Sequence, residues 1–134
     1  VGFPGEREEH FVNTCTFVQE MEFSGLHVFK YSPRRGTPAA EFGGQVEPGV
    51  KEERSRKMLA IGKRLARAFA VRHLGKTVQV LAEQSCPGGD GGMMEGLTDN
   101  YVRVYFSGPA DLRGKLVNVQ VTGLSGTGVV GRII

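Results

Sequence analysis

Cysteine is scarce in this chain of 134 residues: Cys15 and Cys86 are the only two, and they lie far apart. That separation argues against a disulfide framework and against a metal site held by these thiols alone. No run of about eighteen apolar residues occurs, so no membrane-spanning helix is expected, and no charged-then-apolar leader marks a secretory signal. A reducing, cytoplasmic setting follows as the default. Neither sign of charge dominates. Seventeen Lys and Arg against fourteen Asp and Glu leave a formal +3 and a pI near 9.1. So mild a basic excess fits a nucleic-acid partner and equally an ordinary soluble protein. The length suits one domain or two small ones, enough to bury roughly two-thirds of the unfolded surface. Val1 opens on what reads as a motif already under way, which suggests a piece of something longer.

The most informative stretch is Gly25 to Ala40, GLHVFKYSPRRGTPAA. Leu26 to Tyr31 is rich in β-formers, and Pro33 and Pro38 then remove the backbone donors a ladder needs. It reads as a buried strand with a rigid basic exit loop. Helices covering such a strand would make its neighbours parallel, and ligands bind at the carboxyl ends of such strands. Arg34, Arg35 and the amides around Gly36 could face an anion there, or form an exposed basic turn. Alternation sets Leu26 and Val28 toward helices and His27, Phe29 and Tyr31 toward an interior, with His27 read as a core histidine rather than a metal ligand.

Around this strand two helices are expected. Val1 to Gly5 reads as a strand end and a Gly/Pro turn. A helix follows, with Glu6, Glu8 and Glu9 at its positive end and a stripe of Phe11, Cys15, Val18 and Met21. Cys15 in that stripe reads as a buried, inert thiol. Gly25 is the expected left-handed stop. Pro48 suits the first turn of a long helix over Val50 to Leu74, with Met58, Ile61, Leu65, Ala68 and Phe69 buried and its many cations, Arg54 among them, on a solvated face. Gly62 weakens the middle of this helix and Gly75 ends it.

From Lys76 the period changes from helical to alternating, which divides the chain into 1–74 and 75–134. Four strands are expected: Thr77 to Glu83, Tyr101 to Phe106, Leu116 to Thr122 and Val129 to Ile134. Gly-rich turns, among them Cys86 to Gly92, separate them. Closure into a small antiparallel barrel is the way such a sheet avoids exposed edges. Basic side chains beside aromatic rings suit single-stranded nucleic acid, and Lys76, Arg103, Arg113 and Lys115 stand with Tyr101 and Tyr105 here. A merely soluble barrel is the alternative.

Five strings, VGFPGE from Val1, GLHVFKYSPRRGTPAA from Gly25, VKEERSRKML from Val50, GKTVQVLAE from Gly75 and GLTDNYVRVYF from Gly96, resemble in that order the carboxyl end of the radical S-adenosylmethionine methylthiotransferases. The FSGLHVFKYSPRRGTPA wording is similar to the branch that methylthiolates threonylcarbamoyladenosine beside the tRNA anticodon. The resemblance implies an α/β part, the last two β/α units of a partial (β/α) radical-SAM barrel over 1–74. It further implies an all-β part over 75–134, a small antiparallel, OB-like TRAM barrel that grips tRNA. In that family S-adenosylmethionine and two 4Fe–4S clusters do the chemistry. The CxxxCxxC cysteines of the radical cluster and those of the second are absent from this chain, so the fragment alone is expected to be inactive, with no catalytic or metal residues of its own. What the resemblance assigns is part of the S-adenosylmethionine wall, from Gly2, Phe3, Phe29, Tyr31 and Ser32. It also assigns an RNA grip, from Arg34, Arg35, Lys76, Asn100, Tyr101, Arg103, Arg113 and Lys115.

Two alternatives stay open: a freestanding RNA-binding module, and an enzyme of the same family acting on an aspartate of a ribosomal protein. A strand lacking neighbours exposes backbone and apolar area, so dimerisation or a swap through that flank is a further expectation.

Overall fold

The computed structural model describes residues 1–86 and 92–134; most of the Gly-rich turn expected from Cys86 to Gly92 lies outside the described residues. The chain divides into two compact units, Val1–Leu65 and Ala66–Ile134.

In the first unit the carboxylates Glu8 and Glu9 open α1, Glu8–Glu20, where they meet the helix dipole. Phe11 and Val18 bury the stripe, Cys15 is half-buried, and Met21 is exposed rather than the fourth member of that stripe. The helix closes through Glu22, at φ 50, and Gly25 is not the left-handed residue. A short helix, α2, Pro38–Glu41, starts on a proline inside what the sequence suggested was loop. The long helix α3, Pro48–Val71, begins in this unit, and its Met58 and Ile61 pack against Phe11 and Val18.

Leu26 to Tyr31 forms no strand within this chain. It runs as an irregular segment whose ladder partner is Val1: the Val1 ammonium donates to the Phe29 carbonyl over 2.8 Å, and the Tyr31 amide donates to the Val1 carbonyl over 2.8 Å. That alternation is the parallel pattern, cut to one residue. The expected burial holds on one side only. Leu26 and Val28 pack on the helical core, while His27 and Phe29 are exposed, so His27 is not a core histidine. Gly62 of α3 explains its own presence here: a Cβ would meet the Leu26 side chain at 3.3 Å.

In the second unit the last turns of α3 bury Ala70, and Ala68, expected inside, is exposed. Gly75, at φ 73, turns the chain into a barrel of five strands: β1 Thr77–Ser85, β2 Met93–Leu97, β3 Arg103–Ser107, β4 Leu116–Ser125 and β5 Gly128–Ile133. Their order around the closed barrel is β1-β2-β3-β5-β4. Strand β2 was not legible in the sequence, and the barrel is not wholly antiparallel, because β3 and β5 pair in parallel. Alternation holds along most of β1 to β4, with register shifts between Ala82 and Gln84 and between Val121 and Gly123, and it breaks in β5, where Gly128 and Val129 are both buried. Val80, Val104, Phe106, Val119, Val121 and Val129 fill the interior, each 1% exposed or less. Among the described residues three strand glycines let the backbones approach: a Cβ on Gly96 would run into the Leu81 carbonyl oxygen, one on Gly128 into that of Arg103 and one on Gly131 into that of Gln120.

Candidate nucleic-acid interface

Strand pairing on the outside of the barrel lines up three leucines. Leu81 lies opposite Leu97 on one side and opposite Leu116 on the other. Directly opposed residues share a face, so the three make one apolar row across β2, β1 and β4. Leu81 is 43% and Leu116 61% exposed. The row floors a groove of about 570 Å³, walled also by Thr77, Gln79 and Glu83 of β1 and by the turn Thr98–Tyr101.

That turn is held by a chain of hydrogen bonds. The Val102 amide donates to Thr98 Oγ1 over 2.9 Å, and that hydroxyl donates to Asn100 Oδ1 over 2.6 Å. Asn100 Nδ2 lies 3.1 Å from His73 Nε2, and His73 Nδ1 lies 3.1 Å from the Phe69 carbonyl. A carbonyl only accepts, so Nδ1 carries the ring proton and Nε2 accepts from Asn100. The network holds Tyr101 in the left-handed region at φ 64 with its ring 82% exposed. Backbone of this kind in a bulky residue persists only where the surroundings over-determine it. His73 was missed by sequence reasoning, because a lone histidine after a helix carries no motif.

The residues assigned to RNA fall in several places. Asn100 and Tyr101 line the groove. Lys76 and Lys115 are exposed and each precedes a lining residue in the chain, Thr77 or Leu116. Arg113 is exposed near the start of β4. Arg103 is half-buried, with Nη1 2.9 Å from Glu95 and 3.9 Å from Glu83, so its charge is largely answered within the protein. Lys115 has a looser partner, Asp111, at 3.4 Å. Arg34 and Arg35 are exposed in the first unit, where the Thr37 amide closes a turn onto the Arg34 carbonyl and is not open to an anion.

Among the residues assigned to S-adenosylmethionine, Phe3 meets Tyr31 edge-on at 5.2 Å, and Lys51 Nζ sits 5.2 Å from the Tyr31 ring centre. Among the described residues the buried Tyr31 hydroxyl has no hydrogen-bond partner. Gly2 is buried at φ 77, whereas Phe29 is 77% exposed and Ser32 is exposed. An apolar set with one unanswered hydroxyl fits a group that brings both a ring face and a polar atom. Iron–sulfur ligation does not fit: among the described residues no group of three or more His, Cys, Asp or Glu could hold a metal, and the two thiols lie in different units. Burial pushes both thiols above their ordinary values, with Glu95 adding to the effect at Cys86. No helix among the described residues is long and apolar enough to cross a membrane.

No family model matches the chain. Curated relatives do. Over 122 residues, 90% of this chain, it is 42% identical to the threonylcarbamoyladenosine tRNA methylthiotransferase MtaB of Bacillus subtilis. Two tRNA-2-methylthio-N(6)-dimethylallyladenosine synthases are each 39% identical, that of Geobacillus thermodenitrificans over 91% of the chain and that of Clostridium novyi over all of it. The chain is homologous to the tRNA methylthiotransferases. It spans 27%, 23% and 29% of those three proteins, so it corresponds to about a quarter of each enzyme. The small barrel agrees with the TRAM barrel that the resemblance implied.

Proposed function

We propose that this chain is the RNA-gripping part of a radical S-adenosylmethionine tRNA methylthiotransferase, acting on a modified adenosine next to the anticodon. Threonylcarbamoyladenosine is the substrate favoured here, since the relative at 42% identity carries that name. The observation that carries the reading is Tyr101, an aromatic ring held 82% exposed at the lip of an apolar groove on a small barrel. Stacking a base on such a ring is worth about 1–3 kcal/mol and tolerates any base. Lys76, Arg113 and Lys115, exposed on the same unit, supply phosphate contacts. Arg103 is the weakest of the assigned cations, because two carboxylates already answer it.

In the first unit, Gly2, Phe3, Phe29, Tyr31 and Ser32 would line part of the S-adenosylmethionine wall, with the Tyr31 hydroxyl offering a hydrogen bond. The clusters and the radical chemistry belong to residues this chain does not supply.

Fluorescence anisotropy with an anticodon stem-loop across a salt series tests the reading. Binding should weaken with salt, and Lys115→Ala should flatten the slope by roughly one unit. A salt-independent signal, or none, would refute it.

A further inference from the structure

Among the described residues no cation lines the groove. Its charged lining residues are Glu83, which Arg103 already faces at 3.9 Å, and Asp99, so a phosphate is not what it receives. Among the described residues Asp99 has no hydrogen bond or ion pair, and it neighbours Tyr101 on the same turn. A stacking ring, an apolar floor of Leu81, Leu97 and Leu116 and a free carboxylate at the edge are the complement of a planar ring that donates hydrogen bonds.

From this geometry we infer that the groove is a pocket for a single unpaired nucleobase and that Asp99 makes it prefer guanine over uracil, an inference that rests on the RNA-gripping reading above. Guanine presents two parallel donors, N1–H and the N2 amino group, which a carboxylate accepts together. Uracil offers one donor, N3–H, flanked by two carbonyl oxygens that a carboxylate repels. The strand's phosphates then pass outside the groove, where Lys76 and Lys115 stand near opposite ends of the lining part of β1, about 20 Å apart along the strand. His73 is a positioning residue: through Asn100 it fixes the turn that carries both Asp99 and Tyr101.

The test uses the whole 134-residue chain and two fluorescein-labelled heptaribonucleotides, UUUGUUU and UUUUUUU. The guanine-containing strand should bind at least about fivefold tighter. Asp99→Asn should collapse that ratio toward one without weakening the all-uridine strand, since the turn's own hydrogen bonds do not use the Asp99 side chain. Tyr101→Ala should weaken both strands together, and Tyr101→Phe should restore them. His73→Ala should reduce the ratio, with the folded barrel confirmed by its NMR spectrum. Equal binding of the two strands by the unaltered chain, or a ratio that survives Asp99→Asn, overturns the base pocket alone. Binding of neither strand overturns the RNA reading itself. Dimerisation that Leu116→Ser abolishes, with no RNA bound, would assign the leucine row to self-association instead.

Discussion

Asn100 donates its side-chain amide to His73 Nε2 over 3.1 Å and accepts the Thr98 hydroxyl over 2.6 Å, so one asparagine ties the end of a helix to the turn that presents Tyr101. His73 is 8% exposed, and both its ring nitrogens are engaged. Removing the amide leaves a buried acceptor on the ring and frees the turn together.

Asn100→Ala should therefore destabilise the barrel unit by about 1–2 kcal/mol. For a domain of this size each kcal/mol is roughly 4–8 °C of Tm. A double-mutant cycle with His73→Phe, read by calorimetry, should give a coupling above about 0.5 kcal/mol. Additive losses would show that the two side chains do not act through each other.

Arg54 is the one cation of the long helix that the structure buries, at 5% exposure. Its guanidinium donates to the Glu6 carbonyl and carboxylate over 2.9 and 2.8 Å and to Glu8 over 3.1 Å, and lies over the Phe11 ring. Glu6 in turn accepts the Gly2 amide. Arg54→Ala leaves Glu6 partly buried without its countercharge and should cost about 3 kcal/mol in denaturant unfolding. Arg54→Lys should recover less than half, because an ammonium cannot span both carboxylates in the same fork. Full recovery by lysine would reduce the site to simple charge neutralisation.

Gly96→Ala and Gly131→Ala should each prevent the barrel from closing, since the added methyl collides with a backbone carbonyl that cannot swing away. Gly114→Ala, with nothing within 4 Å of a Cβ but a φ of 78, should cost only the strain of the left-handed backbone, about 1–2 kcal/mol. Loss of the dispersed amide NMR spectrum in the first two and its retention in the third is the expected pattern.

Both thiols should react slowly. With their values raised by burial, Cys15 and Cys86 are protonated at neutral pH, and iodoacetamide labelling of the folded chain should rise only at pH values above those of the denatured chain. The stability these thiols contribute is fully present below the unfolded thiol pKa, roughly 8.5, and is lost as pH rises through the higher folded values. Fast labelling at pH 7 would place them in open, polar surroundings.

Alternation made most of the barrel legible, because the valines at every second position of LVNVQVT must all face one way once the strand forms. Strand β2 escaped, since Glu95 and Gly96 are poor strand formers held there by pairing with β1 and β3. Leu26 to Tyr31 has strand composition without a ladder, for a strand is defined by its partner, and among the described residues that partner is Val1 alone. The burial of Arg54 was illegible because a run of cations carries no mark of which one meets carboxylates from another segment. Tyr101 came from the pattern of basic residues beside aromatic rings and Asn100 from resemblance, but the leucine row, Asp99 and His73 came from register and packing, which no single string displays.

The central claim is that the outer barrel face grips RNA, and amide NMR mapping of the chain with an anticodon stem-loop tests it most directly. The largest saturable shifts should fall on Thr98 to Val102, Leu81 and Leu116, with smaller ones at Lys76 and Lys115. Shifts confined to residues 1–65, or no shifts at millimolar RNA, would contradict it.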